Sequence, residues 1–70
     1  MDPNAAIKAL DRAEMEHDRP GIAELCDALI GWLVRDGFPP RFDAADWRAS
    51  LTRSQLIAHF RTVRHVAEMP

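Results

Sequence analysis

The sequence holds one cysteine, Cys26, and one lysine, Lys8. A lone cysteine excludes an intrachain disulfide, so no covalent staple supports the fold, and a reducing, cytoplasmic setting is the expectation. No apolar run approaches the roughly 20 residues of a membrane span. No basic start followed by an apolar stretch reads as a leader, and no membrane partner is expected. A glycine-rich phosphate loop, an alternating strand pattern, an internal repeat and a low-complexity tract are all missing.

What is present fits a single soluble globular domain over residues 1–70, with 47% hydrophobic and 29% charged side chains. A chain this short buries only about 60% of its unfolded surface, so its own core is small. Two tryptophans and three phenylalanines enlarge that core, and association with a second copy would add to it. The formal net charge of −2 is unevenly spread: residues 1–40 hold four basic and eight acidic side chains, residues 41–70 five and three. Such asymmetry points either to a charged partner surface or to two halves that pack on each other. Eight of the nine basic residues are arginines, the side chain suited to bidentate anion contacts.

Helix punctuation is legible throughout, and it predicts an all-α fold of three main helices over about 3–17, 20–36 and 53–67, with a short one over about 44–49. Asp2-Pro3 supplies a capping carboxylate before a proline at the first helical position, and an alanine-rich run follows. His17-Asp18-Arg19-Pro20 breaks it, because a residue before proline is pushed out of the α region. In the second helix Ile22, Leu25, Cys26, Leu29, Ile30, Trp32 and Leu33 share one broad face, which makes this the central helix. Gly37 is its expected left-handed stop, with Phe38 folding back on Leu33, and Pro39-Pro40 forbid continuation. Asp43 is the expected cap of the short helix, with Phe42 and Trp47 as a hydrophobic staple. Thr52-x-x-Gln55 is a capping box for the last helix, with Leu51 and Leu56 as a second staple.

In the last helix Leu56, Phe60, Val63 and Ala67 form the core stripe. Arg53, Arg61 and Arg64 form a basic edge beside it, interrupted by Ile57. Between Ser50 and Val66 there is no acidic residue. The same arginines suit a solvated flank that pairs with Asp11, Glu14 or Glu16. Phe42 to Arg61 also resembles a helix-turn-helix, with Ser50 where a glycine usually turns, Asp46 at a usually small apolar position and His59 at a core position. That resemblance implies nucleic-acid contacts by Arg53, Ser54, Arg61 and Arg64.

Other chemistry finds little to build on. Glu14-x-x-His17 has the spacing with which a helix presents carboxylate and imidazole to one metal ion, and a homodimer would double it. A single motif leaves the ligand set incomplete, and a histidine at a helix carboxyl end is favoured by the dipole without any metal. Cys26 sits mid-helix on the apolar face, where burial raises a thiol's pKa and makes it inert. His59 and His65 point about 120° apart and cannot share a metal. No catalysis and no cofactor are expected.

The apolar face of the second helix is wider than the ~100° stripe of an ordinary surface helix, and the first helix offers only Ala6, Ile7, Leu10 and Ala13 to cover it. Either the loop Gly37–Phe42 folds back over the remainder, or a partner does. The expectation is a non-enzymatic helical interaction module, self-associating, that serves as a regulator, adaptor or inhibitor. Its contacts would be Ile30, Trp32 and Phe38 on the apolar patch and Arg53, Arg61 and Arg64 on the basic edge. The alternatives are a nucleic-acid binder built on residues 42–65 and, more distantly, a metal-binding homodimer through Glu14 and His17.

Overall fold

Asp2 opens the first helix, its Oδ1 accepting from the Asn4 amide at 3.0 Å, and Pro3 takes the first position, where no N–H is needed. The computed structural model describes residues 1–70 and shows three α-helices, α1 (Pro3–Met15), α2 (Arg19–Val34) and α3 (Arg53–Glu68), with a single 3₁₀ turn at Trp47–Ser50 and no strand.

The corner between α1 and α2 is tight. His17 adopts a left-handed conformation (φ 55°), the Asp18 amide donates to Ala13 O at 2.9 Å and the His17 amide to Glu14 O at 3.2 Å. These two bonds are the Schellman pattern, which closes off helix carbonyls. Asp18 then starts α2 by accepting from the Gly21 amide at 3.1 Å. A Cβ at residue 21 would overlap that carboxylate, so glycine makes the cap possible. His17 therefore lies beyond α1, and the first helix is two residues shorter than expected.

A second Schellman pattern ends α2, with Gly37 N bonded to Trp32 O at 2.9 Å and Asp36 N to Leu33 O at 3.2 Å. The left-handed residue is Asp36 (φ 63°), not Gly37; aspartate tolerates this region because its short side chain avoids much of the clash. Gly37 is needed for a different reason: a Cβ there would run into the Trp32 indole, which lies over it. Phe38 meets Trp32 edge-on, with ring centroids 5.4 Å apart, instead of folding onto Leu33, and the indole Nε1 donates to Phe38 O at 2.8 Å.

The short helix expected over 44–49 is only a turn at 44–45 followed by the 3₁₀ turn. Asp46, not Asp43, is its cap, accepting from the Arg48 amide at 2.9 Å. Trp47 is 62% exposed and makes no staple with Phe42; the Arg48 guanidinium lies over the Phe42 ring instead, 4.8 Å from its centroid. The capping box at Thr52 is complete, with Gln55 N on Thr52 Oγ1 at 3.2 Å and Thr52 N on Gln55 Oε1 at 2.9 Å.

The core is one cluster. Ile22, Cys26, Leu29, Ile30 and Leu33 of α2 pack against Ala6, Ile7, Leu10 and Ala13 of α1 and against Leu56 and Phe60 of α3. As expected, α2 is central: it packs on both other helices, while direct contact between α1 and α3 is slight. The loop after α2 returns over the core, burying Pro40 and packing Phe42 against the cluster. Its Arg41 amide is held at 2.7 Å by the Asn4 side chain. No helix is long and apolar enough to cross a membrane.

Candidate interaction surface

Because α1 and α3 flank α2 without closing on each other, one side of the molecule carries a groove. Its upper half is roofed by the segment 43–50, latched by Arg48. That side chain is only 12% exposed. It binds Asp46 through Nη2 at 2.7 Å and through Nε, and reaches Asp11 of α1 through Nη1 at 3.2 Å and Nη2 at 3.3 Å. Asp46 is pulled to a pKa of about 2 by the hydrogen bonds from Arg48, and the Arg48 pKa is raised by the same bonds.

The lower half is open, a cavity of about 390 Å³ between the end of α1, the start of α2 and the second half of α3. Ile22, Val63, Val66 and Ala67 give it an apolar lining, with Glu14, His17 and His59 around them. Val63 and Ala67, expected in the core stripe, are only half-buried here, and Val66 is 55% exposed. The groove continues into an acidic bay of about 610 Å³ under the roof, lined by Asp11, Glu14, Asp43 and Asp46. Glu14, His59 and Val63 line both spaces.

The two titratable groups at this junction are both held toward neutrality. Burial raises the Glu14 carboxyl, Asp11 adds to the rise and Arg48 opposes it. Burial lowers the His59 imidazole, as does Arg48, with Asp46 opposing. The His59 ring packs edge-on against Trp47, centroids 4.9 Å apart, which fixes it beneath the roof. Two other depressions are chiefly polar: one of about 500 Å³ between α1 and α2 with Leu25 its only large apolar residue, and one of about 310 Å³ between α1 and the 41–48 segment, where Ile7 and Phe42 are the only apolar ones.

The residues picked out from sequence fare differently from one another. Ile30 is 7% exposed and belongs to the core, so it offers nothing to a partner in the folded monomer. Trp32 is half-covered by Phe38, whereas Phe38 itself stays 58% exposed. Arg53 is committed to the end of α2, its Nη1 donating to Leu33 O and Gly37 O. Arg64 is paired with Asp27 of α2. Of the basic edge, only Arg61 has neither an ion pair nor a hydrogen-bonded partner, and Ser54 is exposed two turns before it. The first helix of the helix-turn-helix resemblance is reduced to the 3₁₀ turn. Glu14 and His17 do share the groove, but no three His, Cys, Asp or Glu side chains come together as a metal-ligand set. Cys26 is fully buried and its thiol is pushed up to about 11, chiefly by burial.

Sequence reasoning missed Arg48 and the groove. The available signal was the thin, alanine-rich stripe of α1, which is too small to cover both α2 and α3. Comparison of the chain with protein-family models, with curated proteins and with solved structures finds no match.

Proposed function

We propose that this chain is a non-enzymatic protein-interaction module that acts as a regulator, adaptor or inhibitor through the open groove between α1 and α3. The observation that carries the proposal is the half-exposed strip of Val63, Val66 and Ala67 beside Ile22, left uncovered in a domain with a core of only eleven residues. Contiguous apolar surface ringed by polar groups is the usual mark of a partner site. A reading without catalysis is supported by the burial of Cys26 and by the commitment of Arg48, Arg53 and Arg64 to structural contacts.

The direct test is selection of binders from an unbiased displayed peptide library, with amide chemical-shift mapping of the bound protein. Binders should perturb Ile22, Val63 and Val66. If every selected peptide maps elsewhere, or none is selected, the groove is not the functional surface.

Self-association through the carboxyl end of α2 is a second reading, favoured by Val34 and Phe38, each 58% exposed there. Phe38→Asp should then convert an associated species to a folded monomer in sedimentation. The nucleic-acid reading keeps few unpaired donors, Arg61 and Ser54 among them, which supports at most a shallow salt dependence of binding.

A further inference from the structure

Resting on the interaction reading above, we propose that the occupant of the groove is an amphipathic helix of a partner protein, with a lysine or arginine that pairs with Glu14. The apolar lining on α3 falls at residues 63, 66 and 67, the i, i+3, i+4 spacing with which one helix presents a seam to another. With α1 and α3 as walls on either side of α2, a further helix lying between them completes a four-helix arrangement. The stretch of α3 that lines the open half, His59 to Ala67, runs about 13 Å, enough to support two to three turns of a partner.

Charge selects the kind of helix. Four carboxylates line the roofed end, those of Asp11, Glu14, Asp43 and Asp46, against one arginine. Arg48 is already shared between Asp11 and Asp46. Glu14 and Asp43 have no cation, and the Glu14 carboxylate accepts no hydrogen bond from the rest of the chain. Glu14 stands where the apolar notch meets the acidic bay. An incoming cation there would meet an unpaired carboxylate beside that of Asp11, and pairing would offset the repulsion between the two. At the opposite mouth lie His17 and Arg19, giving the groove a polarity that orients the visitor with its basic end under the roof. A second copy of this chain is a poorer occupant. The outward face of its own α3 carries Ser54, Ala58, Arg61, Thr62 and His65, small or polar side chains that offer no apolar seam to a notch of about 390 Å³.

The experiment is a displayed library of helical peptides with a fixed leucine seam and flanking positions varied among lysine, arginine, glutamate, aspartate and alanine. It is selected against the wild-type chain and against Glu14→Lys. Wild type should enrich lysine or arginine at one end of the helix, and a representative basic peptide should bind at least tenfold more tightly than its acidic counterpart. Glu14→Lys should reverse the enrichment, while circular dichroism shows the fold intact. Val66→Asp, at an exposed position, should abolish binding of both. Enrichment indifferent to charge, or unchanged by Glu14→Lys, overturns the pairing while leaving the groove as a binding surface. Failure of any leucine-seam peptide to enrich overturns the helix as occupant. Sedimentation showing a dimer that Val66→Asp converts to a folded monomer and Phe38→Asp does not assigns the groove to a second copy.

Discussion

Arg53, at the start of α3, closes the far end of α2: its Nη1 donates to Leu33 O at 2.9 Å and to Gly37 O at 2.6 Å. A cation at a helix carboxyl end also meets the negative pole of the dipole. Losing charged hydrogen bonds of this kind costs about 1.5–3 kcal/mol, so Arg53→Ala should lower stability by that order in urea titrations. Both bonds come from one nitrogen, so Arg53→Lys should recover much of the loss. A result in which lysine fares no better than alanine would show that the forked guanidinium itself is required.

Arg48 is a different case. It reaches two carboxylates with three nitrogens and lies over the Phe42 ring, a geometry a single ammonium cannot reproduce. Arg48→Lys and Arg48→Ala should both destabilise by about 1–3 kcal/mol, and both should release the roof over the groove. Hydrogen exchange should quicken across 43–50 before it does in α2. Unchanged protection there would mean the roof is held by Pro40 and Phe42 alone.

Much of this fold is legible in the sequence. The Asp2-Pro3 start, the broad face of α2 and the Thr52–Gln55 capping box all depend on residues a few positions apart. The short element was misplaced because Asp43 and Asp46 both offer a cap, and what favours Asp46 is Arg48, whose other partner, Asp11, lies 37 residues away in the chain. Nor could helical periodicity separate Val63 and Ala67 from the core, since their exposure depends on where α1 stops. The basic edge is likewise real as a stripe, but two of its three arginines, Arg53 and Arg64, are consumed by α2 and the turn that ends it, through Leu33 O, Gly37 O and Asp27.

Adjacent positions at the end of α2 should respond with opposite signs. Gly37→Ala forces a Cβ into the indole of Trp32 and should cost about 1–3 kcal/mol. Asp36→Gly relieves a left-handed non-glycine residue and should gain up to about 1 kcal/mol. Thermal melts followed by tryptophan fluorescence report both, since Trp32 is half-buried only while it lies over residue 37.

Stability should also depend on pH in a way that names its groups. His59 has its folded pKa below the ordinary 6.5, so its contribution is present above 6.5 and is lost as pH falls toward the folded value. Asp46 behaves similarly at lower pH: its contribution is present above 3.8 and fades as pH falls through about 2. Glu14 runs the other way, because a raised folded pKa favours the folded state as pH falls toward 4.5. His59→Gln should therefore flatten the stability profile just below pH 6.5 and leave the more acidic limb intact. A wild-type profile already flat in that range would place the imidazole in an ordinary aqueous setting.

Asp18 belongs to two helices at once, completing the stop of α1 and opening α2. The corner thus has no slack. One inserted residue between Glu16 and Arg19 would turn the whole face of α2 by roughly 100° relative to α1, swinging Leu29 and Leu33 out of register with Leu10. The loop ahead of the Asp46 cap, by contrast, carries no helix phase, so a change of length there turns no helix face, whereas one at the elbow does.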